Sequence, residues 1–117
     1  MSDLEKLVDG WLALPDVAEL LDIPFMSARQ LVNDHKVVAV RRGDNNALYV
    51  PALFFQDGAI VKHLTGTLNL LRDAGYSDDE AVRWLFTVDD TLPGSPIQAL
   101  VENRGTEVKR RAQALGF

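Results

Sequence analysis

Between residues 14 and 31 the apolar positions fall at the intervals of two short amphipathic helices. In LPDVAELLDIPFMSARQLV the apolar or small side chains are Val17, Ala18, Leu21, Ile23, Ala28 and Leu31. Two helices crossing at a tight turn must bury such a set. Pro15 suits the first turn of a helix running to about Leu21, and Pro24 suits the start of a second from about Phe25 to Asn33. Proline there gives up only an amide that has no intrahelical partner. Asp22 stands at the turn between them, and Asp accepts a left-handed backbone better than most residues. Asp34, His35 and Lys36 make a second turn. The period then shifts to two, predicting strands over residues 37–42 and 47–51, with Gly43-Asp44-Asn45-Asn46 as the connection. Residues 14–51 therefore read as a helix-turn-helix followed by a two-stranded wing.

The remaining pattern is helical. Residues 4–12 form a short, weakly amphipathic start ending at Trp11. Residues 60–74 carry Ile60, Val61, Leu64, Leu68, Leu70 and Leu71 and close at Gly75, a C-cap residue. Ser77-Asp78-Asp79-Glu80 is a capping box opening a helix through Val82, Leu85 and Phe86. Trp84 and Phe86 are expected in the core rather than on a base-stacking platform. After a loop with Thr91, Pro93, Gly94 and Ser95, Pro96 starts a final helix whose stripe is Ile97, Leu100, Val101, Val108 and Leu115. Gly105 weakens its middle by roughly 1 kcal/mol relative to Ala, so a kink or break is expected there. The fold class is mainly α with a small β-hairpin. A winged helix-turn-helix is expected over residues 1–58, and a helical subdomain sharing its core over residues 59–117.

Composition narrows the function. At 117 residues with 47% apolar content, the chain has enough material for a core but not for several domains. It has no cysteine, hence no disulfide and no thiolate metal site, which suits a reducing cytoplasm. No run of about eighteen apolar residues and no signal peptide is visible, so a soluble protein without a membrane partner is expected. The net charge of −5 opposes duplex DNA binding, whose affinity comes largely from neutralised phosphates. Its distribution matters more. Residues 25–49 hold Arg29, Lys36, Arg41 and Arg42 against Asp34 and Asp44, whereas the first thirteen residues hold Asp3, Glu5 and Asp9 against Lys6. A C-terminal run with Arg104, Lys109, Arg110 and Arg111 reads as an ordinary solvated face.

A helix-turn-helix with a wing most often reads duplex DNA. On the second helix, Met26, Arg29, Gln30 and Asn33 share the face opposite Ala28, Leu31 and Val32. That face is the one a major groove would receive. Arg29 fits a guanine edge, and Gln30 or Asn33 an adenine edge. Ser27 suits a phosphate or its own backbone. Lys36, Arg41 and Arg42 are placed for phosphates or the minor groove beside the wing, with Asn45 and Asn46 at its tip. Phe25 either touches a thymine methyl or packs under the wing, and packing is the favoured expectation. Few phosphate contacts imply modest affinity for a monomer. A homodimer would double them, and the final helix is free either to supply that contact or to close the monomer core. A winged helix that binds another protein is the alternative function, to be favoured if the wing arginines pair with C-terminal carboxylates.

Catalysis finds little footing. His35 and His63 stand far apart with no ligand spacing, and His35 is expected at the surface. Asp78-Asp79-Glu80 complements a helix dipole rather than a metal. The chain carries no phosphate-binding loop, dinucleotide motif or nucleophile elbow. No enzyme activity, cofactor or metal is expected.

The segments LPDVAELLDIP, VVAVRR, VPALFF, LLRDAGYSDDEAVRWLF and EVKRRAQAL resemble, over about residues 12–117, a small actinobacterial family. Its members are DNA-binding proteins with an N-terminal winged helix-turn-helix and a helical C-terminal domain, related in mycobacteria to a substrate of a Ser/Thr protein kinase. The wing with Arg41-Arg42 and the AGY…RWLF segment carry the likeness most specifically. The broader pattern resembles the reading head of MerR-type regulators, without their long coiled-coil helix and ligand domain. The resemblance implies duplex DNA as partner, a role in transcription regulation or as a nucleoid-associated protein in the cytoplasm, and a Ser/Thr protein kinase as a second partner. Relatives can carry a phosphorylatable threonine in a longer N-terminal tail. The first threonine here is Thr65, so that particular switch is expected to be absent.

Overall fold

The structure, a computed structural model, describes residues 2–43, 46–92 and 94–115, without the side chains of Ser2, Asp3 and Glu5. The helix-turn-helix forms where the apolar pattern puts it, as α2 (Leu14–Leu21) and α3 (Phe25–Asn33), preceded by a short α1 (Ser2–Leu7). Ala18 and Ala28 are both buried, and their small side chains let the two helices cross closely. Asp22 ends α2 at φ 58, ψ 50. The Ile23 amide donates to the Ala18 carbonyl at 3.0 Å and the Asp22 amide to that of Glu19 at 3.2 Å. This is a Schellman closure with Asp in the place glycine commonly takes. Gly75 (φ 94) closes a later helix in the same way, and Asn103 (φ 64) another. Pro15 lies in the first turn of α2 as expected, whereas Pro24 is the N-cap of α3 rather than its first helical residue.

The wing is smaller and better supported than the period-two pattern suggests. Only β2 (Val40–Arg42) and β3 (Ala47–Pro51) are strands, and residues 37–39 run into β2 as buried irregular chain. A third strand, β1 (Trp11–Ala13), pairs antiparallel with β3, giving the order β1-β3-β2. The hairpin expected from the sequence is thus a three-stranded sheet. The sequence places Trp11 at the end of a short, weakly amphipathic start instead, because three residues are too few to show alternation. A second small hairpin, β4 (Phe55–Gln56) and β5 (Ala59–Ile60), follows a 3-10 turn at Ala52–Phe54. Its turn residues Asp57 and Gly58 both have positive φ (55° and 75°), which fits the type I′ preference of an Asp-Gly pair. The apolar run beginning at Ile60 had obscured that signal.

Four helices follow among the described residues where three were expected. They are α4 (Leu64–Asp73), α5 (Asp78–Phe86), α6 (Pro96–Val101) and α7 (Gly105–Ala114). The helix expected from residue 60 starts at Leu64 because Ile60 pairs in β5. The final helix breaks at Asn103, just ahead of Gly105. The capping box is complete: the Glu80 amide donates to Ser77 Oγ at 3.2 Å, and the Ser77 amide to Glu80 Oε1 at 2.8 Å. The Ser77 amide, and next the Ser77 hydroxyl, hold the Glu80 carboxyl below the usual range. Buried residues of both halves join one cluster, from Val17, Val37 and Val50 to Phe54, Leu68, Leu85 and Ile97. Helix α1 packs on α5, and Thr65 Oγ1 donates to the Lys36 carbonyl at 2.7 Å, tying α4 to the turn after α3. That common core fixes α3 relative to the C-terminal half.

Candidate nucleic-acid interface

Helix α3 buries Ala28, half-buries Leu31 and Val32, and exposes Met26, Ser27, Arg29, Gln30 and Asn33. The face inferred from spacing is the solvent face. Gln30 Nε2 donates to Asp34 Oδ1 at 2.8 Å, one turn on, so its amide is oriented along the helix. Arg29 has no hydrogen-bond or ion-pair partner among the described residues, and its guanidinium is available to a ligand. Lys36 is exposed in the turn that follows. At the N-terminal tip Phe25 is 43% and Met26 69% exposed, and the first turn of α3 carries no acidic side chain.

The wing separates its two arginines. Side chains alternate along β2, so Arg41 and Arg42 leave the sheet on opposite faces. Arg41 is exposed and donates to the Asn46 carbonyl at 3.2 Å, bracing the turn while keeping the rest of its guanidinium outward. Asn46 sits at φ 56 at the end of that turn, and Asn45 lies outside the described residues. Arg42 turns the other way, over the Trp11 ring at 4.5 Å and facing Tyr49 at 5.5 Å. A guanidinium against two aromatic faces is held by packing and the ring quadrupoles. The structure therefore does not bring Arg42 to the surface shared by Arg29 and Arg41. The sequence did not disclose this because it depends on β1, which carries Trp11 to the sheet.

Arg29 and Arg41 line the same two depressions. One, of about 480 Å³, lies between α3, the wing and the start of α5, and is also bordered by Asn33, Val32, Leu48, Asp78 and Asp79. The other, of about 300 Å³, runs between the start of α2, the tip of α3 and the wing, and is also lined by Phe25, Ala13, Leu14, Pro15 and Ala47. Phe25 borders this hollow and stays exposed, so it is not buried under the wing. The two positive side chains stand between an apolar hollow and a hollow rimmed by two carboxylates. Among the described residues, no ion pair joins Arg29 or Arg41 to a C-terminal carboxylate, and no cluster of His, Cys, Asp or Glu is arranged to hold a metal. No helix there is long and apolar enough to cross a membrane.

Known proteins match both halves. Residues 5–55 fit the family model described as DNA-binding protein Rv2175c, wHTH domain, and residues 61–116 the model described as Rv2175c C-terminal domain of unknown function. DNA-binding protein Rv2175c of Mycobacterium tuberculosis (strain ATCC 25618 / H37Rv) is 41% identical, over 89% of this chain and 79% of that protein. The chain belongs to the Rv2175c family. The NMR structure of Rv2175c superposes with a TM-score of 0.83 at 38% identity, covering 92% of this chain and 82% of that one. The Rv2175c architecture, a winged helix-turn-helix followed by a helical C-terminal domain, is thus the architecture here, as the resemblance in the sequence implied.

Proposed function

We propose that this protein binds duplex DNA, with α3 in the major groove and the wing on phosphates or the minor groove. The observation that carries the proposal is the pair Arg29 and Arg41, from two different elements, exposed on one surface and, among the described residues, in no ion pair with the C-terminal half. The family supports it, since the mycobacterial relative is named a DNA-binding protein. Met26, Ser27, Gln30, Asn33, Lys36 and the turn residues Asn45 and Asn46 are the further contacts proposed. Arg42 enters indirectly, by stiffening the sheet that presents Arg41. Residues 1–58 are taken as the reading unit and residues 59–117 as the helical subdomain that backs it.

The role is that of a transcriptional regulator or nucleoid-associated protein in the cytoplasm, acting by contact and not by catalysis. The proposal extends to a homodimer, which would double the contacts, and to a Ser/Thr protein kinase as a second partner. The competing reading, a protein-binding winged helix, required both wing arginines to be tied to C-terminal carboxylates. Arg41 is not, and DNA is favoured.

Fluorescence-anisotropy titration of labelled duplex at two salt concentrations tests this. Wild type is expected to bind in a salt-sensitive manner, within the ~10⁻⁴ to 10⁻⁶ M range of non-specific complexes at least. The double variant Arg29→Ala/Arg41→Ala loses most of that binding, and its log–log salt slope falls by about 0.9 for each phosphate contact removed. Arg42→Ala keeps the slope and loses thermal stability instead. Folded wild type that fails to bind at low salt would sink the proposal.

A further inference from the structure

The exposed apolar tip of α3 has no place in a surface made only of phosphate-binding and hydrogen-bonding groups. Among the described residues Phe25 and Met26 are two of five exposed large apolar side chains, and they are adjacent. Arg29 follows Met26 by three positions and Phe25 by four, so all three side chains point to one side of the helix. An apolar patch flanked by Arg29 and Arg41 fits a ligand that is strongly anionic yet presents a small apolar group. In a B-form major groove the only such group is the thymine 5-methyl.

We propose that Phe25 and Met26 form an apolar clamp that reads thymine methyls, next to the base edge addressed by Arg29. The inference rests on the DNA-binding reading above and names the base chemistry that the tip of α3 selects. The two residues divide the task. Phe25 lines the hollow it shares with Ala13, Leu14 and Pro15 and is open to solvent. Met26 projects furthest, and its unbranched thioether chain adapts to a methyl whose depth varies with groove geometry. Covering a methyl with apolar surface is worth about four-fold in affinity. A tip of two residues therefore yields a preference of several-fold, enough to bias binding toward thymine-bearing sites without restricting it to one sequence.

The experiment compares one thymine-rich, mixed-sequence duplex with the same duplex in which deoxyuridine replaces every thymidine, so that only the 5-methyl groups are lost. Wild type is expected to bind the uracil duplex about four-fold or more weakly. Met26→Ala, at an exposed position that keeps the fold, weakens binding to the thymine duplex and narrows the difference between the two. Phe25→Ala does the same, with a melting curve confirming that it is folded. Equal wild-type affinity for both duplexes, with the salt slope intact, overturns the methyl clamp and leaves DNA binding standing. Discrimination undiminished in both variants also overturns it, since the methyls would then act through duplex shape. Failure to bind either duplex removes the DNA reading and the clamp together.

Discussion

Residues 25–49 and residues 101–117 each carry four Lys or Arg against two Asp or Glu. In the first stretch, Arg29 and Arg41 keep their guanidinium groups outward on one surface. In the second, Arg111 donates to the Thr91 hydroxyl at 2.9 Å and to the carbonyls of Thr91 and Glu107 at 3.0 Å. Arg104 donates to the Leu92 carbonyl at 3.0 Å and pairs with Glu102 at 2.7 Å. The Thr91 hydroxyl and amide in turn bond Asp89 and hold its carboxyl below the usual range, with Arg111 adding to the effect. Equal charge along the chain thus serves opposite ends. A guanidinium carries five donors, and a loop full of unpaired carbonyls consumes them, whereas a hairpin whose carbonyls are paired in the sheet leaves most of them free. What separates a binding surface from a structural one is where the donors go, which a charge count does not register.

The largest test of this division is Gly105→Ala. A Cβ at Gly105 would collide with the His63 ring, where α7 begins against the start of α4. Overpacking of this kind costs about 1–3 kcal/mol. The expected outcome is a clear loss of stability in urea titration, with the DNA affinity of the folded fraction unchanged and stability partly restored by adding His63→Gly. A folded Gly105→Ala protein that no longer binds DNA would break the comparison, by showing that the C-terminal half takes part in reading.

A smaller effect exchanges the two kinds of arginine. Arg111→Ala removes three hydrogen bonds, two of them to main-chain carbonyls, and is expected to cost about 1–2 kcal/mol without altering the salt slope of DNA binding. Arg41→Ala is expected to leave stability within about 0.5 kcal/mol and to lower the slope. If both variants behave alike in both assays, the distinction between outward and engaged arginines fails.

The smallest effect concerns the rim where the two halves meet. Asp78 and Asp79 border the hollow that Arg29 and Arg41 also line, so a phosphate approaching the arginines meets two carboxylates as well. A unit charge facing a phosphate across roughly 10 Å of water costs about 0.4 kcal/mol, roughly a factor of two in affinity. Asp78→Asn/Asp79→Asn is therefore expected to tighten binding by about four-fold at low salt, the gain fading as salt rises. Unchanged affinity would place the start of α5 away from the bound DNA.

Much of the architecture was legible because it rests on local chemistry. Period and caps located α2 and α3, Asp22 declared the left-handed turn, and Ser77 with Glu80 announced α5 before any contact was known. The elements that were missed are those whose evidence is short or non-local. Strand β1 has three residues and exists by pairing with β3, nearly forty positions later. The β4–β5 hairpin announces itself only at Asp57-Gly58, beneath an apolar run that also suits a helix. The solvent face of α3 was legible from spacing alone, since helical geometry settles which residues share a side.

By itself, then, the sequence determined the helix-turn-helix, the outward set on α3 and the helical character of the C-terminal half, because each follows from neighbours within about one turn or one hairpin. Only the tertiary structure decided which wing arginine is available. Arg41 and Arg42 are adjacent and chemically identical, and they part company because alternation along β2 sends one outward and the other onto Trp11 and Tyr49. It also decided that Arg104 and Arg111 brace a loop, and that Asp78 and Asp79 stand beside Arg29 and Arg41. Those outcomes depend on which distant segments pack together, and residue spacing carries no direct record of that.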